Sequence, residues 1–384
     1  MPDKMSGSSF GVYVHIPFCI QKCRYCDFNT VLRSSCHGET INRYHHAMLL
    51  EWGRLQNRIK ELTSVKTIYF GGGTPSLYPV DKVQDLLEKI FSHALVHQGS
   101  EITMEIDPKT IRRQSLVKLH ALGVNRISMG IQSFSDPVLA ILGRYHRQKD
   151  ILACYEDCRS AGFTNISFDL IFGVPGQTLS SWEEDLKWVR CLKPEHVSLY
   201  NLNLSRGTDF FRKRKKLEFP DERSQIRMYH AAHHSLKTIG IRPYEISNFS
   251  KPGYESRHNM DCWNRKLYVG IGAGASSFHG GKRWQNVKNI HSYIQKIEKG
   301  GLAFSQTETL NLQKEKIEYV FLSLRQVKGF DRESYRIYFQ SSIEKDFPSL
   351  FTHPELNSLI RKKKRIRLTL KGRILSNEVF QELF

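Results

Sequence analysis

The chain has 384 residues, 40% hydrophobic and 11% aromatic, which predicts a folded protein of two or three structural units. A charged fraction of 25% argues against intrinsic disorder, and no apolar run is long enough to cross a membrane. The first ten residues are polar and rich in Gly and Ser, unlike a signal peptide, so we expect a cytoplasmic protein with reduced cysteines.

The formal net charge of +19 is compatible with nucleic acid, an anionic membrane surface or an acidic substrate as a partner. The densest basic runs are 212–216 and 361–365, and neither alternates with aromatic residues as a single-strand binding surface does. We therefore expect a solvated basic face, with peripheral contact to an anionic membrane as an alternative. We do not expect nucleic-acid binding.

Apolar periodicity predicts strands that alternate with helices through the first 200 residues. The predicted strands are 12–16, 67–70, 101–106, 126–131, 165–171 and 196–202, and the predicted helices are 41–62, 81–95 (with Asp81 as N-cap), 115–122, 150–161 and 182–192. This alternation predicts a parallel sheet, closed toward a barrel or doubly wound. In both architectures ligands bind at the carboxyl ends of the strands.

Three cysteines follow the first predicted strand within eight residues, with Cys19, Cys23 and Cys26 in a C-x3-C-x2-C pattern. Iron–sulfur clusters are held by cysteine thiolates, usually four, so three would leave one iron of a [4Fe–4S] cluster open. Structural zinc needs a fourth Cys or His at close spacing, and neither His15 nor His37 is well placed. The spacing favours an iron–sulfur cluster over zinc, with three unliganded cysteines as the remaining alternative.

Polar side chains also gather at the predicted carboxyl ends, at Glu105, Gln132, Asp169 and Tyr200. A strand buried on both faces does not carry a carboxylate unless that group has a partner or a ligand. The second strand ends in three glycines at 71–73, which would let a ligand approach the backbone, although an ordinary tight turn is the alternative. Together these residues predict a binding site that faces the cysteine loop.

Beyond residue 203 the pattern is less regular, with helices predicted at 223–239 and 312–324 and a hairpin or wing at 365–372 before a last helix. The run 268–275 fits a G-x-G-x-x-A dinucleotide pattern, but no helix opening or suitably spaced acidic residue follows it. We interpret its glycines as a means of close backbone packing. The predicted units are a barrel at 1–240, a connecting region at 241–304 and a C-terminal domain at 305–384.

The cysteine loop resembles the signature of the radical S-adenosylmethionine (SAM) superfamily. Its longer form, Y-x-H-I-P-F-C at 13–19 followed by C-D-F at 26–28, is similar to the branch of oxygen-independent coproporphyrinogen III oxidase and the heme chaperone HemW. The resemblance spans nearly the whole chain. It implies an α/β fold, in which an incomplete (βα)6 barrel is followed by a smaller mixed or helical C-terminal domain of the HemN type.

The resemblance implies that the three cysteines hold a [4Fe–4S] cluster whose open iron is chelated by the methionine end of SAM. The SAM contacts that it implies are Tyr13, Gly72, Gly73, Thr74, Glu105, Gln132, Arg144 and Asp169. The glycine turn would receive the amino group and carboxylate of SAM. Glu105 and Asp169 suit ribose hydroxyls because an ionised carboxylate only accepts hydrogen bonds, and Arg144 can grip a carboxylate with two donors.

Two features distinguish members of this branch. The oxidases resemble one another in a fourth cysteine two residues after the third, where this chain has Phe28, and in a long leader before the cluster. Both differences favour HemW, which binds heme and passes it to acceptor hemoproteins, with respiratory enzymes as the expected clients. Radical decarboxylation of coproporphyrinogen III is the alternative, and a radical SAM enzyme that modifies RNA is a second one.

A heme carrier needs an iron ligand or a covalent anchor, and His is the usual axial donor. The HemW-like pattern H-N-x-x-Y-W stands at 258–263, with Cys262 in place of Tyr. His258 is therefore the heme candidate, and a structural histidine bonded to the backbone is an equal alternative. An electron donor for the cluster is a further expected partner, and the signature fits both an enzyme that cleaves SAM and a carrier that only binds it.

Overall fold

The computed structural model describes residues 9–60 and 62–383, so the expectation that rests on the extreme N-terminus lies outside the described residues. The strands are β1 (Ser9–Ile16), β2 (Phe18–Cys19), β3 (Val31–Leu32), β4 (Ser64–Gly72), β5 (Leu95–Ile106), β6 (Arg126–Gln132), β7 (Ile166–Phe172), β8 (His196–Asn201), β9 (Arg242–Pro243), β10 (Asn248–Ser250), β11 (Tyr268–Ile271), β12 (Ser276–His279), β13 (Lys282–Asn286), β14 (Phe304–Thr309), β15 (Phe330–Asp331), β16 (Ile360–Lys362) and β17 (Arg365–Leu368).

The helices are α1 (Gly38–Arg58), α2 (Val80–Phe91), α3 (Arg113–Ala121), α4 (Asp136–Leu142), α5 (Gln148–Ser160), α6 (Leu179–Leu192), α7 (Asp209–Lys213), α8 (Glu222–Lys237), α9 (Arg257–Trp263), α10 (Ile290–Glu298), α11 (Leu312–Arg325), α12 (Arg332–Phe339), α13 (Ile343–Asp346), α14 (Ser349–Thr352), α15 (Leu370–Ile374) and α16 (Ser376–Gln381). None of the described helices is long and apolar enough to cross a membrane.

One large sheet organises the chain, with strand order β14-β13-β12-β11-β1-β4-β5-β6-β7-β8-β10-β9. The neighbours from β11 to β8 pair in parallel, whereas the strands beyond them at either end pair antiparallel. The predicted parallel sheet of βα units is therefore confirmed. Its carboxyl ends lie along one edge, where loops from distant parts of the chain meet.

Helices cover the sheet through apolar stripes. In α1 the buried residues Tyr44, Met48, Trp52 and Leu55 recur at intervals of three or four, which places them on one helix face. Strand β1 is buried on both faces over most of its length, as a central parallel strand should be. Burial of each large side chain contributes on the order of 2 kcal/mol.

Both ends of helix α2 differ from those predicted. Helix α2 begins at Val80 after Pro79, so Asp81 lies within the first turn and is not the N-cap. The carboxylate still lies beside the positive end of the helix dipole, which explains its place in the sequence. The same helix ends at Phe91, and Leu95 already belongs to β5, because the chain must re-enter the sheet beside β4.

The segment predicted as a connecting region, 241–304, supplies strands to both ends of the sheet. Its glycine-rich run forms β11 and a turn into the antiparallel β12, with no helix after it, as predicted. A Cβ on Gly270 would lie 2.3 Å from the carbonyl oxygen of Ser276, so the interpretation of close backbone packing is confirmed at this position.

The C-terminal residues form a second core, which includes Val320, Leu324, Phe330, Tyr335 and Ile366. The chain order α11, β15, α12, α13, α14, β16, β17 and the sheet order β15-β17-β16 are those of a winged helix. The predicted wing at 365–372 is displaced, because β16 and β17 make the hairpin over 360–368 and residues 370–374 form a helix.

Candidate functional site

A cavity of about 440 Å³ opens at the carboxyl ends of the parallel strands, within the size range of small-molecule sites. Ten of the predicted site residues line it: Cys19, Cys23, Cys26, Gly72, Gly73, Thr74, Glu105, Gln132, Arg144 and Asp169. Tyr13 and His258 are not part of the lining. The fold thus brings residues from five strands and the cysteine loop to one place.

The cysteine loop is fastened to the end of β4 by backbone hydrogen bonds. Gly73 N donates to the carbonyl of Ile16 at 2.8 Å, and Thr74 N donates to that of Phe18 at 2.9 Å. The Thr74 hydroxyl also donates to the Cys19 sulfur at 3.5 Å. The glycine turn and the cysteine loop therefore form one rigid wall of the cavity.

The glycines of this turn are required by the close approach of the two segments. Gly72 has φ +121°, and a Cβ there would lie 2.7 Å from the ring of His15. A Cβ on Gly73 would lie 2.7 Å from the carbonyl oxygen of Pro17 and 2.9 Å from the Cys19 sulfur. Packing against the cysteine loop therefore explains both glycines even before any ligand is considered.

Two partly buried carboxyl groups face the cavity from neighbouring parts of the sheet. Glu105 accepts hydrogen bonds from the Tyr69 hydroxyl at 2.8 Å and from Gly72 N at 3.0 Å. Burial raises the pKa of Glu105 to about 7, and the nearby Asp169 adds to the shift. Burial also raises the pKa of Asp169, which accepts a hydrogen bond from Ser128 at 2.8 Å.

Comparison with known proteins decides the family. Residues 13–189 match the model of the radical SAM superfamily. The chain is 35% identical over 375 residues to the heme chaperone HemW of Bacillus subtilis, an alignment that covers 96% of this chain and 97% of that protein. The chain belongs to the HemW family. Its identity to HemW of Lactococcus lactis is 34%, over 96% of both chains.

The solved structure of coproporphyrinogen III oxidase (HemN) from Escherichia coli superposes on this HemW-type protein with a TM-score of 0.84. The match covers 98% of this chain and 91% of the other at 23% identity, so it bears on the fold alone. The predicted incomplete (βα)6 barrel with a HemN-type C-terminal domain is confirmed. Membership of the radical SAM superfamily implies a [4Fe–4S] cluster and SAM as cofactors.

The cavity of this HemW-type protein offers a donor set that fits such a cluster. Within the described residues no three His, Cys, Asp or Glu converge on one metal ion. Cys19, Cys23 and Cys26 share a cavity wall instead, as suits ligands that each bind a different iron. Arg144 Nη1 donates to the Cys23 sulfur at 3.3 Å and so places a positive charge beside the thiolate set. When bound, the cluster would supply an electron.

Two of the three thiols are hard to ionise because they are largely removed from water. Burial raises the pKa of Cys19, and it raises that of Cys26 to about 11. Since metals bind thiolates, loading of the site must displace protons from these two residues. We therefore expect cluster assembly to become easier as the pH rises.

Arg144 is oriented by Asp107, which was not among the predicted site residues. The two form a buried ion pair, and Asp107 also pairs with His146 Nδ1 at 2.9 Å. Arg144 Nη2 further donates to the carbonyl of Gly130 at 3.1 Å, while its buried Nε has no hydrogen-bond partner among the described residues. Asp107 could have been found from its position, because it directly follows the strand that carries Glu105.

Gln132 reaches the cavity through an unusual backbone. It has φ +69°, a left-handed conformation that is uncommon for a residue with a side chain. The pairing of β6 with β7 shifts register between Met129 and Gln132, so the strand ends in an irregularity at the cavity. Such strained positions cluster at binding sites, which supports the predicted role of this residue.

Tyr13 and His258 lie behind the cavity, inside the barrel. The Tyr13 hydroxyl pairs with His15 Nδ1 at 3.1 Å, and its ring stacks on that of Tyr69. His258 is 5% exposed, and its Nδ1 is bonded to the Thr67 hydroxyl at 2.8 Å. Burial lowers the pKa of His258 to about 4, so the ring is neutral at physiological pH.

Proposed function

We propose that this protein binds heme and delivers it to acceptor hemoproteins. The main support is the alignment with heme chaperones, which covers 96% of the chain. The aligned part includes both the barrel and the winged-helix domain. Phe28 supports it further, because this position holds an exposed aromatic side chain where the oxidases are expected to carry a fourth cysteine.

The cavity residues have distinct roles in this proposal. Cys19, Cys23 and Cys26 hold the cluster, and Glu105 and Asp169 accept hydrogen bonds from the ribose hydroxyls of SAM. The remaining proposed contacts with SAM are Gly72, Gly73, Thr74, Gln132 and Arg144. Tyr13 acts one step away, because its hydroxyl holds His15 under the glycine turn.

The decisive experiment is anaerobic reconstitution of the cluster followed by two titrations. In the first, heme is added, and we expect a stoichiometric Soret complex whose heme moves to the apo form of a b-type hemoprotein. In the second, coproporphyrinogen III, SAM and a low-potential reductant are added together. Decarboxylation of the porphyrinogen without a heme complex would overturn the proposal in favour of the oxidase.

We propose that the acceptors are respiratory hemoproteins. We also propose that the C-terminal wing, the β16–β17 hairpin over 360–368, contacts an anionic membrane near them. Residues 361–365 are five consecutive basic residues at the β16–β17 hairpin, and Arg361, Lys363 and Lys364 are exposed. Each lysine at such a surface contributes about 1 kcal/mol, a factor of about five in binding. The protein itself is cytoplasmic in this proposal.

Flotation with phosphatidylglycerol vesicles tests the wing. The triple variant Lys362→Gln, Lys363→Gln, Lys364→Gln should reduce vesicle binding strongly, whereas matched changes at Lys213, Lys215 and Lys216 should reduce it less. Equal loss in both variants would indicate a non-specific basic face and contradict the assignment to the wing.

A further inference from the structure

The mouth of the cavity carries exposed hydrophobic side chains that neither the cluster nor SAM explains. Ile20, Phe28 and Tyr200 line the cavity and are 45%, 65% and 44% exposed. We refer to these three residues as the apolar rim. Leu32, another exposed residue, pairs with Cys19 in the short β2–β3 ladder. Large apolar groups that gather at one opening mark a binding surface.

A basic surface adjoins the apolar rim. Lys22 lines the cavity from the cysteine loop, whose 19–32 segment contains a single carboxylate, Asp27. Ser205 also lines the cavity, and the segment 206–216 that follows it carries six basic residues and one acidic residue. The backbone N–H of Phe210 donates to the carbonyl of Arg24 at 3.0 Å, which ties this basic segment to the cysteine loop.

These features match a flat apolar macrocycle with anionic groups on one side. We infer that heme docks across the apolar rim, with its two propionates directed toward Lys22 and the basic segment 206–216. The inference rests on the proposed function and adds the site. Aromatic rings at Phe28 and Tyr200 would stack on the porphyrin, and the cations would pair with the carboxylates.

The same geometry separates this site from the SAM site and from His258. A cavity of about 440 Å³ suits one small molecule, so a macrocycle would lie over its mouth and leave the interior to SAM. His258 is enclosed behind Tyr13 and Tyr69 and already uses Nδ1 for a hydrogen bond. Recognition at the rim depends on the macrocycle and its carboxylates, and therefore extends to a porphyrin without iron.

The test compares heme, iron-free protoporphyrin IX and protoporphyrin IX dimethyl ester as ligands of the cluster-loaded protein. Wild-type protein should bind the first two comparably and the ester more weakly. Phe28→Ser and Tyr200→Ser should each weaken both acids about tenfold, the scale of one lost aromatic contact. Lys22→Gln should weaken the acids but not the ester. Leu312→Ser, an exposed apolar residue of α11, is the matched control and should change nothing.

A second measurement guards against indirect effects on the cluster, since Phe28 lies two residues from Cys26. Iron content and visible absorbance are recorded for each variant, and Tyr200→Ser, distant in sequence from the cysteines, must agree with Phe28→Ser. Bound protoporphyrin IX should also slow the association of SAM, because it covers the mouth.

The inference fails if the wild-type protein binds heme but both aromatic variants retain full affinity. It also fails if the iron-free porphyrin does not bind, since the iron ligand would then dominate recognition. If the wild-type protein binds no heme at all, the proposed function fails first and the rim site fails with it.

Discussion

We predict that SAM binding depends on pH through the carboxyl group of Glu105. If the ribose hydroxyls require an ionised acceptor, the apparent affinity follows the ionised fraction of this group. With a pKa of about 7, that fraction is roughly 3% at pH 5.5 and roughly 90% at pH 8, so affinity should rise about thirtyfold, or about 2 kcal/mol. Glu105→Gln should remove most of this rise.

Anaerobic calorimetry of SAM with the cluster-loaded protein measures the effect between pH 5.5 and 8. The matched control is Glu101→Gln on the same strand, because Glu101 is also buried but accepts the backbone N–H groups of Arg257 and His258 away from the cavity. The amino group of SAM titrates in the same way with all three proteins, so its effect cancels when their affinities are compared at each pH. An identical pH slope in wild-type and Glu105→Gln proteins would show that ionisation of Glu105 does not control SAM binding.

Glu105→Gln should also change how the stability of the protein depends on pH, in the absence of SAM. Folding raises the pKa of Glu105 from 4.5 to about 7, so the native state binds more protons than the unfolded state between these values. Stability therefore falls as the pH rises from 4.5 to 7, and the penalty is fully present above pH 7. Glu105→Gln should gain up to about 3 kcal/mol over wild type at pH 8 relative to pH 4.5, measured by urea unfolding.

Two further substitutions test the cluster assignment and the packing beneath it. Cys23→Ser should abolish the visible absorbance of the reconstituted cluster without altering the circular dichroism, whereas Cys154→Ser on α5 should retain it; iron retained by Cys23→Ser would contradict the three-thiolate site. Tyr293→Phe should destabilise the fold by about 1–2 kcal/mol, because the Tyr293 hydroxyl donates a hydrogen bond to the buried Glu51. Burial raises the pKa of Glu51 to about 7, so the loss should be larger above pH 7, where this carboxylate is ionised, than below it. Tyr338→Phe, exposed on α12, is the control in urea unfolding, and equal stability of the two variants would exclude this role.

The parallel part of the fold was predictable because strands buried on both faces read as apolar runs between helices. The antiparallel ends of the sheet were not, because β9, β10 and β12 span only two to four residues each. So few residues carry no detectable alternation of apolar and polar side chains. Their places in the sheet depend on pairing with strands that are distant in the sequence.

Most of the predicted residues that line the cavity could be found for a related reason, since they belong to the cysteine motif or lie at the carboxyl end of a strand. Arg144 follows helix α4 instead, and only the family resemblance indicated it. The hydrogen-bond and packing partners of individual side chains could not be predicted. The pairing of β1 with β4 places Tyr13 beside Tyr69 and directs its hydroxyl to His15. The helix α9 brings His258 to Thr67, 191 residues away in sequence. Such contacts follow from the register of strands and the packing of helices, neither of which leaves a local pattern.

The glycine-rich run at 268–275 shows how a motif can serve a site without touching its ligand. Asn29, three residues after the last cysteine, donates to the carbonyl of Ala273 at 3.0 Å. Tyr44 bridges the same turn to the first strand, because its hydroxyl donates to the carbonyl of His15 and accepts from Ala273 N. Buried Glu51 accepts a backbone N–H of the turn at 2.9 Å. The run therefore supports the cysteine loop by packing against it. Its glycines are needed because side chains of helix α1 and of the loop lie in close contact with its backbone.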